Sequence, residues 1–275
     1  MSDLLSPQLE DFLRHEFARE AKFICLSGAG ISNESGIPTF RGKDGLWEKY
    51  DFESYAYMEG LLYLLKKKPK VFGAFVRDLY SVLCSARPNP AHAVLSSMEK
   101  SGILKAVITQ NVDNLHQDAG NRTVVELHGN AFRIRCMKCG ITRMYEKERL
   151  KEMGELLCRS RLSRSKFLRI ISRYFPRCKQ CGGRFRIDIV LFGEQLPEHE
   201  LAAAYTYVSS CDVLFIVGSS LVVYPAAGLP VFAKKHGVRL IEINKEPSVL
   251  SDVCDFSVRG TAVEAMTQIL QLAKM

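Results

Sequence analysis

Five short apolar runs alternate with helical patterns along most of this chain, and this alternation constrains its fold more than any other feature. The runs have the length of strands and lie at 22–27, 104–109, 123–127, 212–218 and 239–243. They are rich in Val and Ile and lack a polar face, which is typical of a parallel sheet covered by helices on both sides. The sequence therefore predicts an α/β fold with a doubly wound, Rossmann-like parallel sheet. Ligand-binding residues are expected directly after each strand.

Two segments interrupt this alternation and are predicted to be inserts. Residues 50–87 carry a helix-rich pattern that ends at the turn sequence Pro88-Asn89-Pro90. Residues 133–186 carry two cysteine pairs around a basic stretch that is rich in Ser and Arg. We therefore expect a larger domain made of residues 1–132 and 187–275, which includes the helical insert. Residues 133–186 are expected to form a small inserted module.

Two Cys-x-x-Cys pairs in this module have the spacing of a zinc site. Cys136 and Cys139 form the first pair, and Cys178 and Cys181 form the second pair after a gap of 38 residues. Each pair lets one turn direct two thiolates at a tetrahedral Zn²⁺. Redox pairs or unconnected core cysteines are the alternatives, but the flanking lysines and glycines are typical of zinc knuckles. Because four cysteines close the coordination shell, the predicted zinc is structural rather than catalytic.

Composition narrows the class of protein. The chain has 275 residues, of which 47% are hydrophobic and 25% charged, and no apolar run reaches the ~20 residues of a membrane-spanning helix. The first twenty residues lack the basic and apolar regions of a secretory signal. Nine cysteines fit reduced thiols or metal ligands better than disulfides. These features predict a cytoplasmic protein without a membrane partner, and the nucleus is the alternative because of the basic insert.

The net charge of +8 comes from one segment. Residues 140–186 hold 14 Lys or Arg and four Glu, whereas the rest of the chain holds 24 basic and 26 acidic residues. Within this segment, apolar residues at 167, 168, 171, 174 and 175 have the spacing of an amphipathic helix. We expect its apolar side to pack on the zinc module and its basic side to face solvent. Two interpretations stay open, a solvated surface without a partner or a surface that binds a polyanion, either nucleic acid or an acidic protein tail.

A glycine-rich turn follows the first predicted strand. Gly28 and Gly30 flank Ala29, and such glycines let backbone N–H groups approach a pyrophosphate. The third glycine of the usual dinucleotide fingerprint is absent, so a tight structural turn is the alternative. Downstream, Arg41 supplies a charge for phosphate, and Phe40 supplies an aromatic ring that can cover a reactive group.

Polar side chains follow the second and third predicted strands. Asn111, Asp113 and His116 come after the second strand, and His128 comes after the third. Because the carboxyl ends of parallel strands meet at one edge of a sheet, we expect these side chains at one catalytic site. Histidine is the natural proton acceptor near neutral pH. We interpret His116 as a hydrogen-bonded structural residue and His128 as the candidate base, since Gly129 beside it leaves room for a substrate.

With these motifs, the sequence resembles the sirtuin family of NAD-dependent protein lysine deacylases. The similarity runs in family order from about residue 20 to residue 270. The matching strings are GAGISNESGIPTFRG, TQNVDNLH, LHGN, the four cysteines, IVLFGEQLP, GSSLVVYPAA and EINKE.

The resemblance implies a reaction and a role for each catalytic residue. The acyl-lysine carbonyl oxygen would attack the nicotinamide ribose of NAD, nicotinamide would leave, and the acyl group would end on ADP-ribose. At the matching positions, His128 would be the general base that deprotonates a ribose hydroxyl. Asn111 would hold the ribose, Asp113 would bind the nicotinamide carboxamide, and Phe40 would exclude water.

The resemblance also implies binding residues. The positions that match the NAD-binding loops are Gly28, Ala29, Gly30, Ser32, Pro38, Phe40, Arg41, Gln110, Asn111, Val112, Asp113, Gly218, Ser219, Ser220, Asn244, Lys245, Glu246 and Ala262. An acyl-lysine peptide would enter between two segments and add a strand by main-chain hydrogen bonds. These segments are Val190, Leu191, Phe192 and Gly193 on one side, and Leu221, Val222 and Val223 on the other.

Acyl selectivity separates the functional alternatives. Family members that prefer succinyl or malonyl groups carry a Tyr followed three residues later by an Arg, whereas this chain has Arg77 and Tyr80 in the reverse order. We therefore predict a deacetylase. The alternative activities are removal of acidic or long-chain acyl groups, or transfer of ADP-ribose to protein. A scaffold that binds NAD or zinc without catalysis is the alternative from another class, and the presence of Asn111, Asp113 and His128 argues against it.

Overall fold

A computed structural model describes residues 4–39, 50–158 and 163–273. These residues form two compact units. The first contains 4–39, 87–128 and 196–273, and the second contains 50–86, 129–158 and 163–195. The sequence-based division placed the helical segment 50–87 in the larger domain, whereas the structure groups it with the cysteine-containing segment. The boundaries at 132 and 187 stay a prediction.

Nine strands and eleven α-helices make up the described residues. The strands are β1 (Phe23–Ser27), β2 (Leu104–Thr109), β3 (Val124–Glu126), β4 (Gly129–Cys136), β5 (Thr142–Met144), β6 (Phe185–Ile189), β7 (Val213–Val217), β8 (Arg239–Asn244) and β9 (Phe256–Arg259). The helices are α1 (Pro7–Ala18), α2 (Phe52–Ala56), α3 (Met58–Lys67), α4 (Pro69–Ser85), α5 (Pro90–Lys100), α6 (Leu115–Asp118), α7 (Lys147–Cys158), α8 (Arg164–Tyr174), α9 (Glu198–Ser209), α10 (Leu229–Lys235) and α11 (Ala262–Ala273). Short 3₁₀ helices lie at Ala29–Ser35, Ala226–Gly228 and Ser251–Val253.

The first unit is built on a six-stranded sheet in the spatial order β3-β2-β1-β7-β8-β9. Every neighbouring pair in this sheet is parallel. Alternate residues of β1 enter two apolar layers, with Phe23 and Cys25 on one side and Ile24 and Leu26 on the other. Burial on both faces is what an uninterrupted apolar run requires. The predicted doubly wound parallel sheet is therefore confirmed.

The sequence predicted five of these six strands, with ends that differ by one residue at most. It missed β9, which lies at the edge of the sheet beside β8. This strand is only four residues long, and polar Ser257 and Arg259 alternate with its two apolar residues. An edge strand has solvent on one side, so it does not carry the uniformly apolar signal of the central strands.

The second unit combines a three-stranded antiparallel sheet, in the order β5-β4-β6, with helices α2 to α4, α7 and α8. Helices α4 and α7 approach closely because each has a glycine at the crossing. A Cβ on Gly73 would lie 2.6 Å from the Leu157 side chain, and one on Gly154 would lie 2.5 Å from the Arg77 backbone. This contact joins the helical insert to the cysteine-containing insert, a packing that no local sequence pattern reports.

The predicted amphipathic helix of the basic insert is present as α8. Ser163 caps it by accepting a hydrogen bond from the backbone N–H of Lys166. Tyr174 is fully buried, but Leu168 is 53% exposed. The apolar side is therefore only partly packed, because Phe167 and Ile171 are half-buried while Tyr174 is fully buried. Arg159 and Arg161 lie outside the described residues. No helix within the described ranges is long and apolar enough to span a membrane.

Candidate functional site

The carboxyl ends of the six parallel strands meet at one edge of the first unit, where ligand sites of doubly wound sheets form. Most of the predicted site residues follow these strand ends. They are Gly28 to Ser32 after β1, Gln110 to Asp113 after β2, His128 after β3, Gly218 to Ser220 after β7, Asn244 to Glu246 after β8, and Ala262 after β9. The sheet thus brings together residues that are far apart in the sequence.

Three glycines interlock where β1 and β7 end side by side. A Cβ on Gly28 would lie 2.7 Å from the carbonyl oxygen of Gly218, and one on Gly30 would lie 2.6 Å from its Cα. Gly218 itself has φ +64°, which favours glycine. The N–H groups of Gly28 and Gly30 donate to the carbonyls of Val217 and Gly218 at 3.0 and 2.8 Å. A tight structural turn therefore accounts for these glycines, and their contact with a pyrophosphate stays a prediction.

Ser32, Asn111 and Asp113 form one buried hydrogen-bond network. Ser32 Oγ donates to Asp113 Oδ2 at 2.7 Å, and Asn111 Nδ2 donates to Ser32 Oγ at 3.2 Å and to the Gly28 carbonyl at 3.1 Å. The other carboxylate oxygen of Asp113 accepts from the backbone N–H of Leu115 at 2.9 Å. Burial raises the pKa of Asp113, and the two donors oppose this shift. The network fixes both side chains while the Asn111 amide oxygen has no hydrogen-bond partner within the described ranges.

Two buried histidines lie behind this network. His92 Nε2 is 3.5 Å from Ser32 Oγ, and the ring centroids of His92 and His116 are 4.9 Å apart. His116 Nε2 bonds to Ser27 Oγ at 2.8 Å. Burial lowers the pKa of His92 to about 4 and the pKa of His116 well below its usual value. Both rings are therefore neutral at pH 7, and the contacts of His116 agree with the structural role that we inferred for it.

His128 is held in one tautomer by the backbone. Its Nδ1 lies 2.9 Å from the carbonyl oxygen of Gln110. Because a carbonyl only accepts hydrogen bonds, Nδ1 carries the proton in the neutral ring and Nε2 keeps its lone pair. Burial lowers the pKa of His128, and the hydrogen bond to Gln110 acts in the opposite direction. Within the described ranges, Nε2 has no hydrogen-bond partner. The geometry is that of a neutral imidazole with a free basic nitrogen.

A chain of side-chain contacts runs along the same edge. Gln110 Nε2 donates to Ser219 Oγ at 2.8 Å, and Asn244 Nδ2 donates to the carbonyl of Ser219 at 2.9 Å. Ser219 therefore links the loops after β2, β7 and β8. The similar family usually has a threonine at this position, and the serine retains the hydroxyl that accepts from Gln110.

The remaining predicted NAD residues differ in exposure. Pro38 and Val112 are half-buried, Ser220, Lys245 and Glu246 are exposed, and Ala262 is buried at the start of α11. Phe40 and Arg41 lie outside the described residues. Of the predicted peptide-binding segments, Val190 to Gly193 belong to the second unit and Leu221 to Val223 to the first.

The four knuckle cysteines form a candidate zinc centre in the second unit. Their sulfur atoms all lie within 4.8 Å of one another, with Cys136 and Cys181 3.5 Å apart and Cys139 and Cys178 3.8 Å apart. Tetrahedral Zn–S bonds of about 2.3 Å place sulfurs about 3.8 Å apart, so the cluster fits zinc. Gly140 and Gly182, each with positive φ, follow the second cysteine of each pair and close the two turns. No position remains open for water, so the centre is structural.

The sequence reasoning missed several residues that shape the site. Thr109 Oγ1 accepts from the backbone N–H of Asn111 and from Ser27 Oγ, and His92 Nε2 lies 3.5 Å from Ser32 Oγ. Glu242 is a buried carboxylate within β8. Only Glu242 had a signal, because it is an acid within the apolar run of a strand. The others are ordinary residues whose importance depends on which strands are neighbours.

The profile of the Sir2 family matches residues 28–225 of this chain. A relative from Pyrococcus furiosus described as an "NAD-dependent protein deacylase" is 44% identical over 92% of this chain and 94% of its own length. An "NAD-dependent protein deacetylase" from Caldivirga maquilingensis is 43% identical over 91% of this chain and 88% of its own length.

Solved structures of Sir2 proteins are also similar to this chain. A Sir2 homologue in complex with NAD superimposes with a TM-score of 0.73 and 35% identity, over 96% of this chain and 93% of that one. A Sir2 protein with a deacetylated p53 peptide and 3′-O-acetyl-ADP-ribose has a TM-score of 0.73 and 32% identity, over 95% of this chain and 97% of that one.

Proposed function

Because this chain belongs to the Sir2 family, we propose that His128, Asn111 and Asp113 carry its chemistry at the carboxyl edge of the six-stranded sheet. The protein is an NAD-dependent protein lysine deacylase. It converts an acyl-lysine peptide, NAD and water into free lysine, O-acyl-ADP-ribose and nicotinamide, so NAD supplies the ADP-ribose acceptor and the lysine amine is the leaving group. A structural zinc completes the protein.

His128 acts as the general base. Nδ1–H donates its hydrogen bond to the Gln110 carbonyl, so Nε2 is the nitrogen that accepts a proton from a ribose hydroxyl. The lowered pKa of the ring supports this role, because it keeps the base unprotonated at neutral pH. This fixed tautomer is the single observation on which the assignment chiefly depends.

Asp113 and Asn111 orient the substrate. The Asp113 carboxylate accepts two hydrogen bonds that fix its direction, and it would accept a further one from the nicotinamide carboxamide. Both amide hydrogens of Asn111 are directed at Gly28 and Ser32, which leaves the amide oxygen for a ribose hydroxyl. Positioning of this kind lowers the entropic cost of the reaction.

A nicotinamide-release assay tests this proposal. We expect release from NAD that depends on an acetyl-lysine peptide, and a large loss of release in Asp113→Asn. Asp118→Asn is the matched control, because Asp118 is an exposed carboxylate five residues further along. Equal rates for the two variants would remove Asp113 from the site.

We also propose that acetyl is preferred over succinyl. Arg77 and Tyr80, the reversed counterpart of the pair that binds acidic acyl groups, are both engaged elsewhere in the second unit. Two guanidinium nitrogens of Arg77 donate to Asp78 Oδ1 at 3.0 and 2.8 Å. Tyr80 is 3% exposed, and its hydroxyl donates to the Ala131 carbonyl at 2.7 Å. A succinyl carboxylate would therefore find no ready partner in this pair.

The peptide is proposed to bind by main-chain hydrogen bonds along the segments 190–193 and 221–223. Val222 and Gly193 are exposed, which supports this assignment because main-chain groups must be accessible to pair with a peptide. Recognition through the backbone would give weak discrimination among target sequences.

We further propose that the cationic surface of the zinc module binds duplex DNA. The two knuckles bring exposed cations together. An antiparallel backbone β-bridge pairs Arg177 with Arg184. Lys138 lies beside Gly183, since a Cβ on Gly183 would be 2.7 Å from the Lys138 Cβ. Exposed Lys179 and two residues of α8, Lys166 and Arg169, extend the surface. In the described part of the chain, no acidic side chain lies within ion-pairing distance of these six. Arginine forks suit phosphate oxygens.

The DNA proposal predicts a strong dependence on salt. Affinity should fall by orders of magnitude between low and moderate salt, because phosphate binding releases counterions. Replacing Lys138, Lys166, Arg169 and Lys179 with Gln should abolish binding while deacylation of a free peptide persists. The control replaces Lys66, Lys67, Lys68 and Lys70 with Gln, since these lysines are also exposed and their replacement changes the net charge by the same amount. Binding of an acidic peptide but not of DNA would contradict the proposal.

The cytoplasmic location stays a proposal. None of the nine cysteines is in a disulfide, which supports a reducing compartment.

A further inference from the structure

Glu242 is a buried carboxylate to which the catalytic proposal gives no role. It lies in β8 between Ile241 and Ile243, and its exposed fraction is 0%. Burying a carboxylate is costly unless hydrogen bonds and an opposite charge compensate it. The contacts of Glu242 therefore indicate what this charge does.

The donors to Glu242 come from the loop after β8 and from β9. Its Oε1 accepts from the backbone N–H of Ser248 at 3.1 Å and lies 3.4 Å from Asn244 Nδ2. Its Oε2 accepts from Ser251 Oγ at 2.7 Å and pairs with Arg259 Nη1 at 2.5 Å. Burial alone would raise the pKa of Glu242, but the hydrogen bonds from Ser248, Ser251 and Arg259 lower it below its usual value. The group is an anion at neutral pH.

These contacts hold both ends of one loop. Asn244 begins the segment 244–251, while Ser248 and Ser251 lie in its second half. The same Asn244 amide donates to the Ser219 carbonyl at 2.9 Å, which ties the loop to the turn after β7. Asn244, Lys245 and Glu246 are among the positions given above as matches to the family's NAD-binding loops, and the resemblance assigns their loop to the adenosine half of NAD. One buried charge thus sets the shape of the loop that would carry them.

We propose that Glu242 is a positioning residue that sets the affinity for the adenosine half of NAD by fixing the loop 244–251. This inference rests on the proposed assignment of that loop to NAD. Glu242 does not touch the ligand and takes no part in the chemical step. Its effect is therefore confined to the binding of NAD and ADP-ribose.

Glu242→Gln tests the inference with little change in volume. A glutamine can accept at only one of the two oxygen positions, so its amide NH₂ would face the donors Ser251 or Ser248, and Arg259 would lose its anionic partner. We expect calorimetric affinity for ADP-ribose to fall about ten-fold or more, as loss of a hydrogen bond to a charged group implies. The KM for NAD should rise while kcat and the KM for the peptide stay unchanged.

Asp255→Asn is the matched control. Asp255 is also an ion-paired acid beside β8, but it accepts from the Leu240 N–H and from Lys234, at the opposite end of the strand. It should lower the thermal midpoint without changing ADP-ribose affinity. Equal losses of affinity in the two variants would show that Glu242 acts only through stability and would overturn the inference.

Ser251→Ala keeps the test decisive if Glu242→Gln fails to fold, because it removes one donor and leaves the buried ion pair in place. It should weaken ADP-ribose binding in the same direction, and unchanged affinity would overturn the inference. If the wild type binds ADP-ribose and the Glu242→Gln and Ser251→Ala variants bind it with the same affinity, only the role of Glu242 is rejected. Wild-type protein that neither binds ADP-ribose nor releases nicotinamide would reject the proposed site as well.

Discussion

At the scale of single residues, the two nitrogens of His128 have different environments, and this difference leads to a prediction. His128→Ala should lower deacylation by about 10²–10⁴, which is the usual contribution of a general base, with zinc content and fold retained. Nicotinamide release and bound metal should be measured together. Near-normal turnover in a folded variant would show that another group is the base.

The same residue predicts a pH dependence. Because burial lowers the pKa of His128, the ring stays unprotonated at neutral pH and becomes protonated only as the pH falls through this lowered value. We expect kcat/KM to be lost on the acidic side and to be flat around neutrality. The acidic limb should be compared between the wild type and His199→Gln, since His199 is exposed. An acidic limb that moves in His199→Gln would contradict the assignment to His128.

Arg77 gives a second prediction at this scale. Since its guanidinium is paired with Asp78, Arg77→Ala should leave kcat/KM for acetyl-peptide unchanged, and acetyl should stay preferred over succinyl. An uncompensated carboxylate in an apolar tunnel is costly. Rates on acetyl and succinyl versions of one peptide check this. A succinyl preference that collapses in Arg77→Ala would show that the reversed pair binds the acid after all.

At the scale of elements, the zinc knuckles couple metal binding to folding. Cys178→Ser should release the metal and lower the thermal midpoint, because the binding energy of a structural zinc is folding energy. Cys254→Ser is the control, since Cys254 is a partly buried cysteine outside the cluster. Metal content by atomic spectroscopy and thermal unfolding provide the measurements. A metal-free variant with unchanged stability and full activity would contradict a structural role.

The turn after β1 shows how elements determine residue choice. Gly28 and Gly30 form half of a phosphate-binding fingerprint in the sequence, and in the structure their N–H groups donate to the carbonyls of Val217 and Gly218. They are glycines because the turn after β7 leaves no space for a Cβ. The local motif was readable in the sequence, whereas the reason for it depends on β1 and β7 being neighbours.

At the scale of the whole molecule, two buried neutral histidines make stability depend on pH. An unfolded histidine has a pKa of about 6.5, whereas burial lowers that of His92 to about 4. The unfolded chain therefore binds more protons between these values, so stability is lost as the pH falls from about 6.5 towards 4. The thermal midpoint should drop over this window, and less steeply in His92→Gln. A slope that is identical in the variant would exclude His92 as a cause.

The sequence by itself determined the local and periodic features of this protein. Uniformly apolar runs predicted the central strands, because a strand buried on both faces has no place for polar residues. Cysteine spacing predicted the zinc cluster, since two ligands of each knuckle come from one turn. The strand ends predicted that Asn111, Asp113 and His128 follow neighbouring strands of one sheet.

Only the tertiary structure decided the features that depend on distant parts of the chain. The packing of the helical insert on α7 depends on Gly73 and Gly154 meeting in space, and no local pattern encodes that approach. The proton position on His128 depends on a carbonyl at the end of another strand. Glu242 needs donors from β9 and from the loop after β8 to remain charged within the sheet. Hydrogen bonds and steric contacts act over a few ångströms, so neighbours in space, and not neighbours in sequence, determine them.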